Sequence, residues 1–403
     1  MRNSLFLYLF LLFPGLLSGQ IIDDEANKCG IADLKTKAFL LQELGDHWGY
    51  GYDDLLNDLD IWSNSGYVLV DSIGKSTLGR EMYELTITDN SIPDEDKHRI
   101  YIHARTHPGE VQSTWVTNEI INYLLGNEEF SDSMKSGYIF HITPMYNPDG
   151  VELEYPRENA NGIDIESNWG AAVPEDEVLN LRSRFAELML EDNPVEIALN
   201  MHSAYACKRY FVYHHANGTS TLYSNMEKEF IGAVWNHFPD GIEPYNYYVS
   251  WTGGTPDKYP ESWWWMNYAE DVMALTYEDM NCSSAGSYDK TALAILHGIS
   301  DYLEIITSAG YSMPEDISMD IRAYPNPFSD QVFIEWDPVK DLKSAYITDM
   351  LGRLVYQLPA GSAYNGKLSW NSIDRNGIKV PGGIYFLNMI FEDRIKSVKL
   401  VKQ

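Results

Sequence analysis

Through residue 310 this chain alternates short β-branched or aromatic runs with longer amphipathic ones, and after about Tyr311 the alternation stops. That change constrains the fold more than any other feature, because alternating elements bury their apolar faces as a sheet covered by helices on both sides, an α/β arrangement. Strands are expected at 67–70, 82–88, 100–104, 138–143, 197–202, 210–214 and 273–278. Helices are expected at 112–125, where Trp115, Val116, Ile120, Tyr123 and Leu124 share one side, and at 176–192, where Leu181, Phe185 and Leu188 recur; 221–237 and 289–307 follow the same period. Beyond the polar, acidic run 312–320, short alternating strands such as 332–336 are separated by turn signals at Asn365-Gly366, Asn376-Gly377 and Pro381-Gly382-Gly383. No helical period appears there, so a small all-β sandwich is expected.

The first twenty residues hold one basic residue, Arg2, then an apolar stretch from Leu5 to Leu17 and the small Ser18 and Gly19, the pattern of a secretory signal peptide. A membrane anchor is disfavoured by the shortness of the stretch, by Pro14-Gly15 within it, and by the absence of basic residues on its far side. No other segment reaches spanning length, so the mature chain is expected to have no transmembrane segment. The expected division is a signal peptide at 1–19, an N-terminal segment or propeptide at 20–45, the α/β unit at 46–311, a linker at 312–322 and the sandwich at 323–403.

Three cysteines, Cys29, Cys207 and Cys282, permit at most one intrachain bridge, so a packed core rather than a disulfide framework holds the fold together. The net charge of −30 belongs to the larger unit, since residues 312–403 hold 11 basic and 11 acidic residues. Such a surface repels nucleic acid and anionic lipid and suits solubility outside the cell.

Within the α/β unit, His107-Pro108-Gly109-Glu110 directly follows a predicted strand and directly precedes a predicted helix. A His-x-x-Glu pair on such a loop can supply two metal ligands, and a third protein ligand would complete the set that catalytic zinc sites use. His202 closes the apolar run 197–201 and answers that need. A lone histidine there would more often be a buried residue bonded to backbone; beside His107 and Glu110, the ligand reading is favoured.

These residues, with Ile73-Gly74-Lys75-Ser76-Thr77-Leu78-Gly79-Arg80, Pro144-Met145-Tyr146-Asn147-Pro148-Asp149-Gly150, and Gly162-Ile163-Asp164 followed by Asn168-Trp169, resemble the zinc metallocarboxypeptidase family. The His-Pro-Gly-Glu spelling looks like its cytosolic-carboxypeptidase branch, and the likeness runs over about residues 50 to 310. It implies a mixed central β-sheet flanked by helices, one zinc ion per chain held by His107, Glu110 and His202, a peptide or peptide-like substrate, and hydrolysis by a zinc-activated water. It further implies Glu278, at the end of a predicted strand, as general base and Arg157 as the cation beside the oxyanion. Tyr248, ahead of Gly253-Gly254, answers to the tyrosine that closes over substrate, one residue out of the simplest register.

The resemblance also breaks. Relatives carry Asn-Arg shortly after Gly-x-Asp to bind the substrate's C-terminal carboxylate, whereas this chain has Glu166 and Ser167 there, followed by Asn168. A carboxylate facing a carboxylate is repulsive, and a bidentate arginine is missing. The substrate-binding set Tyr248, Glu166, Ser167 and Asn168 is therefore expected to present an altered anchor that accepts a neutral or cationic terminal group. If the two strands ending in His202 and Glu278 meet at one metal, Cys207 and Cys282 could form a disulfide at the rim, leaving Cys29 free. Of Trp263, Trp264 and Trp265, at least one is expected to pack rather than line a cleft.

The tail carries Tyr324-Pro325-Asn326-Pro327-Phe328, Leu351-Gly352-Arg353 and Gly383-Ile384-Tyr385-Phe386 in order, and resembles the C-terminal sorting domain of the bacterial type IX secretion system. That implies a Bacteroidetes-type source, engagement of that secretion machinery, a secreted or cell-surface location and removal of the tail. The leading expectation is thus a secreted zinc metallopeptidase. An amide or ester hydrolase acting on a small acylated or cell-wall substrate, or a binding protein on the same fold, are the rival readings.

Overall fold

The computed structural model describes residues 45–308, 321–336, 342–349, 353–358, 366–391 and 395–403. The expected signal peptide, the segment 20–44, Cys29 and most of the expected linker lie outside the described residues.

Eight strands form one sheet: β1 (Val68–Lys75), β2 (Glu81–Ile87), β3 (His98–Ala104), β4 (Tyr138–Thr143), β5 (Val195–Ala204), β6 (Tyr210–His214), β7 (Tyr248–Ser250) and β8 (Met273–Met280). Their order is β1-β2-β4-β3-β5-β8-β6-β7. The inner strands β4, β3, β5 and β8 run parallel, while β1 with β2, β2 with β4, and β6 with β8 are antiparallel. The sheet is therefore mixed. The parallel strands are nearly continuous buried runs, as expected where both faces are covered.

Helices cover both faces. They are α1 (Tyr52–Trp62), α2 (Val111–Leu124), α3 (Glu129–Gly137), α4 (Pro148–Glu152), α5 (Asp176–Leu188), α6 (Thr221–His237), α7 (Pro260–Tyr268) and α8 (Tyr288–Ser308). Alternation along β3 divides the core: Ile100 and Ile102 join Val116 and Ile120 of α2, Phe230 of α6 and Ile295 of α8, whereas Tyr101 joins Phe185 of α5 and Trp263 of α7. Phe185 is the hub of the second cluster, its ring centroid 4.4–5.8 Å from those of Tyr101, Trp169, Trp263 and Trp264. Its truncation to alanine would cost about 3–5 kcal/mol.

All three tryptophans of the run Trp263-Trp264-Trp265 are buried, so the packing reading holds for each of them. Helix α7 was not anticipated, because it is buried on nearly every side and its polar residues Glu261, Ser262 and Asn267 break any apolar period. Sequence reasoning also passed over α1, α3, α4 and the three-residue β7.

In the C-terminal region, β9 (Arg322–Tyr324), β10 (Val332–Glu335) and β13 (Lys367–Trp370) make a three-stranded sheet. A four-stranded sheet comprises β11 (Ser344–Asp349), β12 (Leu354–Gln357), β14 (Gly383–Ile390) and β15 (Ile395–Lys402). Every pairing within them is antiparallel, and Val332, Ile334 and Trp370 of the first sheet share one core with Ile347, Leu387 and Leu400 of the second.

The parallel strands β3, β5 and β8 deliver their C-terminal ends to one edge, where open α/β sheets place their sites. Just beyond that edge Cys207 and Cys282 form a disulfide with Cα atoms 5.7 Å apart.

Candidate metal centre and active site

The loop between β3 and α2 is fixed from several directions. Arg105 has a positive φ of 62° and a fully buried guanidinium, which donates to Pro108 O at 2.7 Å, to Thr114 Oγ1, and to the carbonyls of His47 and Tyr50. One side chain thus ties the His107–Glu110 turn both to α2 and to the N-terminal turn at 46–49. Gly109 N–H donates to Pro156 O, and a Cβ at Gly109 would approach that oxygen to 3.2 Å, so the close chain crossing favours glycine. Asn147 donates to Thr106 O, while Asp149 accepts from Leu78 N–H and Arg80. The ordered motifs of the sequence are therefore one interlocked scaffold.

On this scaffold His107 Nδ1 lies 2.8 Å from Glu110 Oε1, and His202 Nδ1, near the end of β5, lies 2.9 Å from Glu110 Oε2. Ser203 N–H also donates to Glu110 Oε2. The two imidazole Nδ1 atoms face each other at 3.1 Å. Two buried nitrogens that close repel if both present lone pairs, and a cation held between them and the carboxylate removes the conflict. Among the described residues, His107, Glu110 and His202 are the group of His, Cys, Asp and Glu able to hold a metal, their donor atoms all within 4.8 Å of one another. Two nitrogens and a carboxylate suit zinc, and carboxypeptidase A holds its zinc with this same combination of two histidines and a glutamate, so the agreement is a match of pattern.

His107 and His202 line a cavity of about 160 Å³. Glu278 of β8 lines it and stands opposite His202 in the β5–β8 register. Arg157 lines it too, 3.1 Å from Asp164 Oδ2 and 3.6 Å from Glu110 Oε1. Asp164 Oδ1 meets His107 Nε2 at 3.2 Å. Burial alone would raise the Asp164 pKa, but His107 and Arg157 hold its carboxyl below the ordinary range. Tyr248 reaches the cavity with its ring stacked on Tyr210, whereas Tyr247 is exposed.

The anchor region is arranged differently from the sequence expectation. Ser167 lines the cavity, but Asn168 does not, because its Oδ1 accepts the Glu175 N–H where the chain enters α5. Glu166 lines the cavity yet is buried: both its oxygens accept from Asn200 Nδ2 at 3.2 Å, and Oε2 lies 3.3 Å from His202 Nε2. Asn200 also donates to Glu261 Oε1, which accepts from Thr276. Burial, with the nearby Glu166 charge added, pushes Glu261 above the ordinary carboxylate range.

Sequence reasoning missed Glu261, Asn200 and the His214–Glu227 pair, 2.6 Å apart, whose histidine lines the same cavity. Pro260-Glu261, a proline followed by an acid at a helix start, was the readable signal for the first.

Residues 62–194 match the family model described as zinc carboxypeptidase. The chain carries a zinc carboxypeptidase domain. The matched stretch includes His107, Glu110, Arg157 and Asp164 and ends before His202 and Glu278. Residues 322–403 match the secretion system C-terminal sorting domain. The chain is 40% identical over 76 residues to cytosolic carboxypeptidase 1 of Mus musculus and 34% identical over 108 residues to cytosolic carboxypeptidase 6 of the same organism. These stretches cover 19% and 26% of this chain but only 6% and 20% of those relatives. A metallo-carboxypeptidase from Burkholderia cenocepacia shares the fold with a TM-score of 0.53 at 19% identity, over 64% of this chain and 70% of that one. The sorting domain marks the zinc carboxypeptidase domain as a cargo for export. No helix among the described residues is long and apolar enough to cross a membrane.

Proposed function

We propose that this protein is an exported, zinc-dependent peptidase that hydrolyses peptide bonds with a carboxypeptidase-like hydrolytic centre and an altered anchor for the substrate's terminus. The observation that carries this reading is the convergence of the His107, Glu110 and His202 donors, with both histidines lining a cavity that Glu278 and Arg157 also line.

In this reading His107, Glu110 and His202 hold one zinc. When bound, zinc supplies Lewis acidity that polarises the scissile carbonyl and makes a water easier to deprotonate. Glu278 accepts that proton and returns it to the departing nitrogen, a task for one carboxylate placed beside the reacting atoms. Arg157, already braced by Asp164, presents a fixed positive charge to the oxygen on which negative charge develops. Tyr248 closes one side of the cavity.

Where relatives place Asn-Arg for a carboxylate, this chain has Glu166 and Ser167, and the cavity gathers Glu166 and Glu261 around Asn200. A terminal carboxylate would be repelled there, which supports a neutral or cationic terminal group. Export is proposed to begin with a signal peptide at 1–19 and to end with removal of the region 323–403.

The test is metal analysis joined to mass spectrometry of a mixed peptide pool with free and amidated C-termini. One zinc per chain, loss of cleavage on chelation and its return with zinc are expected, together with turnover of amidated peptides. A chain with no zinc and no cleavage overturns the reading. Strict dependence on a free α-carboxylate would overturn the altered anchor and give that task to Lys258, which lines the cavity along with Arg157.

A further inference from the structure

We infer that Glu166, which occupies a substrate-anchor position of the family pattern, acts here as a positioning residue for the metal ligand His202. The inference rests on the reading of His107, Glu110 and His202 as the zinc ligands.

Both histidines turn Nδ1 toward Glu110, so both Nε2 atoms face away from the donor set. Each then meets a carboxylate. His107 Nε2 lies 3.2 Å from Asp164 Oδ1 in hydrogen-bonding geometry, and His202 Nε2 lies 3.3 Å from Glu166 Oε2, at ion-pair distance but outside hydrogen-bonding geometry. The two acids stand two residues apart on a single short turn: Asp164 caps the 3-10 helix Ile165–Ser167, and the Oδ1 that faces His107 also accepts the Glu166 N–H at 3.0 Å. One turn thus supports the outer edges of both ligands.

Glu166 is fixed independently of any substrate. Asn200 donates to both its oxygens, and Asn200 lies two residues before His202 on β5, so the strand that carries the ligand also holds the carboxylate that steadies it. Glu166 faces the ring edge opposite the one that meets Glu110, which places it outside the donor set. A carboxylate at the outer nitrogen of a ligating histidine keeps the proton on that nitrogen, leaves the lone pair on the inner one and strengthens it as a donor; losing such a partner lowers metal affinity by roughly 10–100-fold. An uncharged asparagine at this place would supply none of the charge. The departure from the family pattern has therefore moved residue 166 from the substrate's terminus to the metal.

The experiment uses the full chain and measures zinc affinity by competition with a chromophoric chelator, with the visible spectrum of the cobalt(II)-loaded protein as a second reading. Glu166→Gln is expected to bind zinc roughly 10–100-fold more weakly and to shift the cobalt bands, while Ile163→Ala, an exposed change in the same loop, leaves both unaltered. Should Glu166→Gln fail to fold by circular dichroism, Asn200→Ala, which loosens Glu166, is expected to weaken zinc in the same direction. Wild-type affinity and spectrum in the folded Glu166 variant, or in Asn200→Ala where that variant misfolds, overturn the inference and leave the hydrolase reading standing. Equal weakening by Ile163→Ala also overturns it. A wild-type chain that binds no zinc overturns both.

Discussion

The metal side of the cavity and its anchor side meet at the same turn, yet they relate to the family pattern in opposite ways. On the metal side His107, Glu110 and His202 stand where the pattern puts ligands, and strand ends and a braced loop hold them. On the anchor side Glu166 and Ser167 replace the expected Asn-Arg pair, Asn168 turns away to the start of α5, and an unanticipated acid, Glu261, comes in from α7. The difference teaches that in this fold the ligand set can keep to the family pattern while the terminus anchor departs from it, even where one turn touches both. The first depends on strand register across β3, β5 and β8; the second depends on a three-residue turn and the first turn of one helix.

The largest effect that separates the two sides is expected at Glu278. Glu278→Gln should lower kcat/KM on a cleaved peptide by roughly 10²–10⁴ while one zinc per chain is retained, measured by steady-state kinetics and metal analysis on the same sample. Unchanged cleavage would remove Glu278 from the chemistry and with it the claim that the metal side is the hydrolytic one.

Glu278 stands out in the sequence at the end of the apolar run 273–278, as His202 does at the end of 197–201, so two neighbouring strands each offer a polar side chain near the same edge of the sheet. His107 and Glu110 were singled out by their spacing between a strand and a helix, whereas Arg157 and the role of Glu278 came from the resemblance to the zinc metallocarboxypeptidases. The helix-covered sheet and the all-β tail followed from period and turn signals, which are local, whereas the mixing of strand directions came from the resemblance. What stayed hidden depends on contacts between distant elements. Asn200 looks like an ordinary strand residue until Glu166 and Glu261 are brought to either side of its amide. Glu261 sits in a helix that is buried on nearly every side and shows no apolar period, and the role of Asn168 is set by a backbone N–H seven residues away, at Glu175.

Arg157 comes next in size. Arg157→Ala should cut kcat by roughly 10²–10³ with a smaller change in KM, the signature of a charge used in the transition state. A change confined to KM would instead place Arg157 on the anchor side and redraw the boundary between the halves.

A third break tests the bracing of the metal side. The Cys207–Cys282 bridge closes a loop of 75 residues just past the ends of β5 and β8. Replacing both cysteines by serine should lower stability by about 2–4 kcal/mol, read as a lower denaturant midpoint with an unchanged slope. A stability equal to wild type would show that strand packing alone holds His202 and Glu278 in register.

The smallest effect is also the sharpest test of the anchor side. Restoring the family pattern with the pair Glu166→Asn and Ser167→Arg puts a guanidinium at a position that already lines the cavity and removes one of the two acids around Asn200. Kinetics on matched peptides should then shift preference toward the free α-carboxylate by about tenfold over the amidated form, since a charge-assisted pair contributes about 1.5–3 kcal/mol and Glu261 still opposes it. Because Glu166 also steadies His202, the same double variant should need more zinc to reach full activity. The assay is therefore run at saturating metal, where the ratio between the two substrates reports the anchor alone. A ratio unchanged from wild type would mean that terminus recognition is placed elsewhere in the cavity, with Lys258 the first residue to replace.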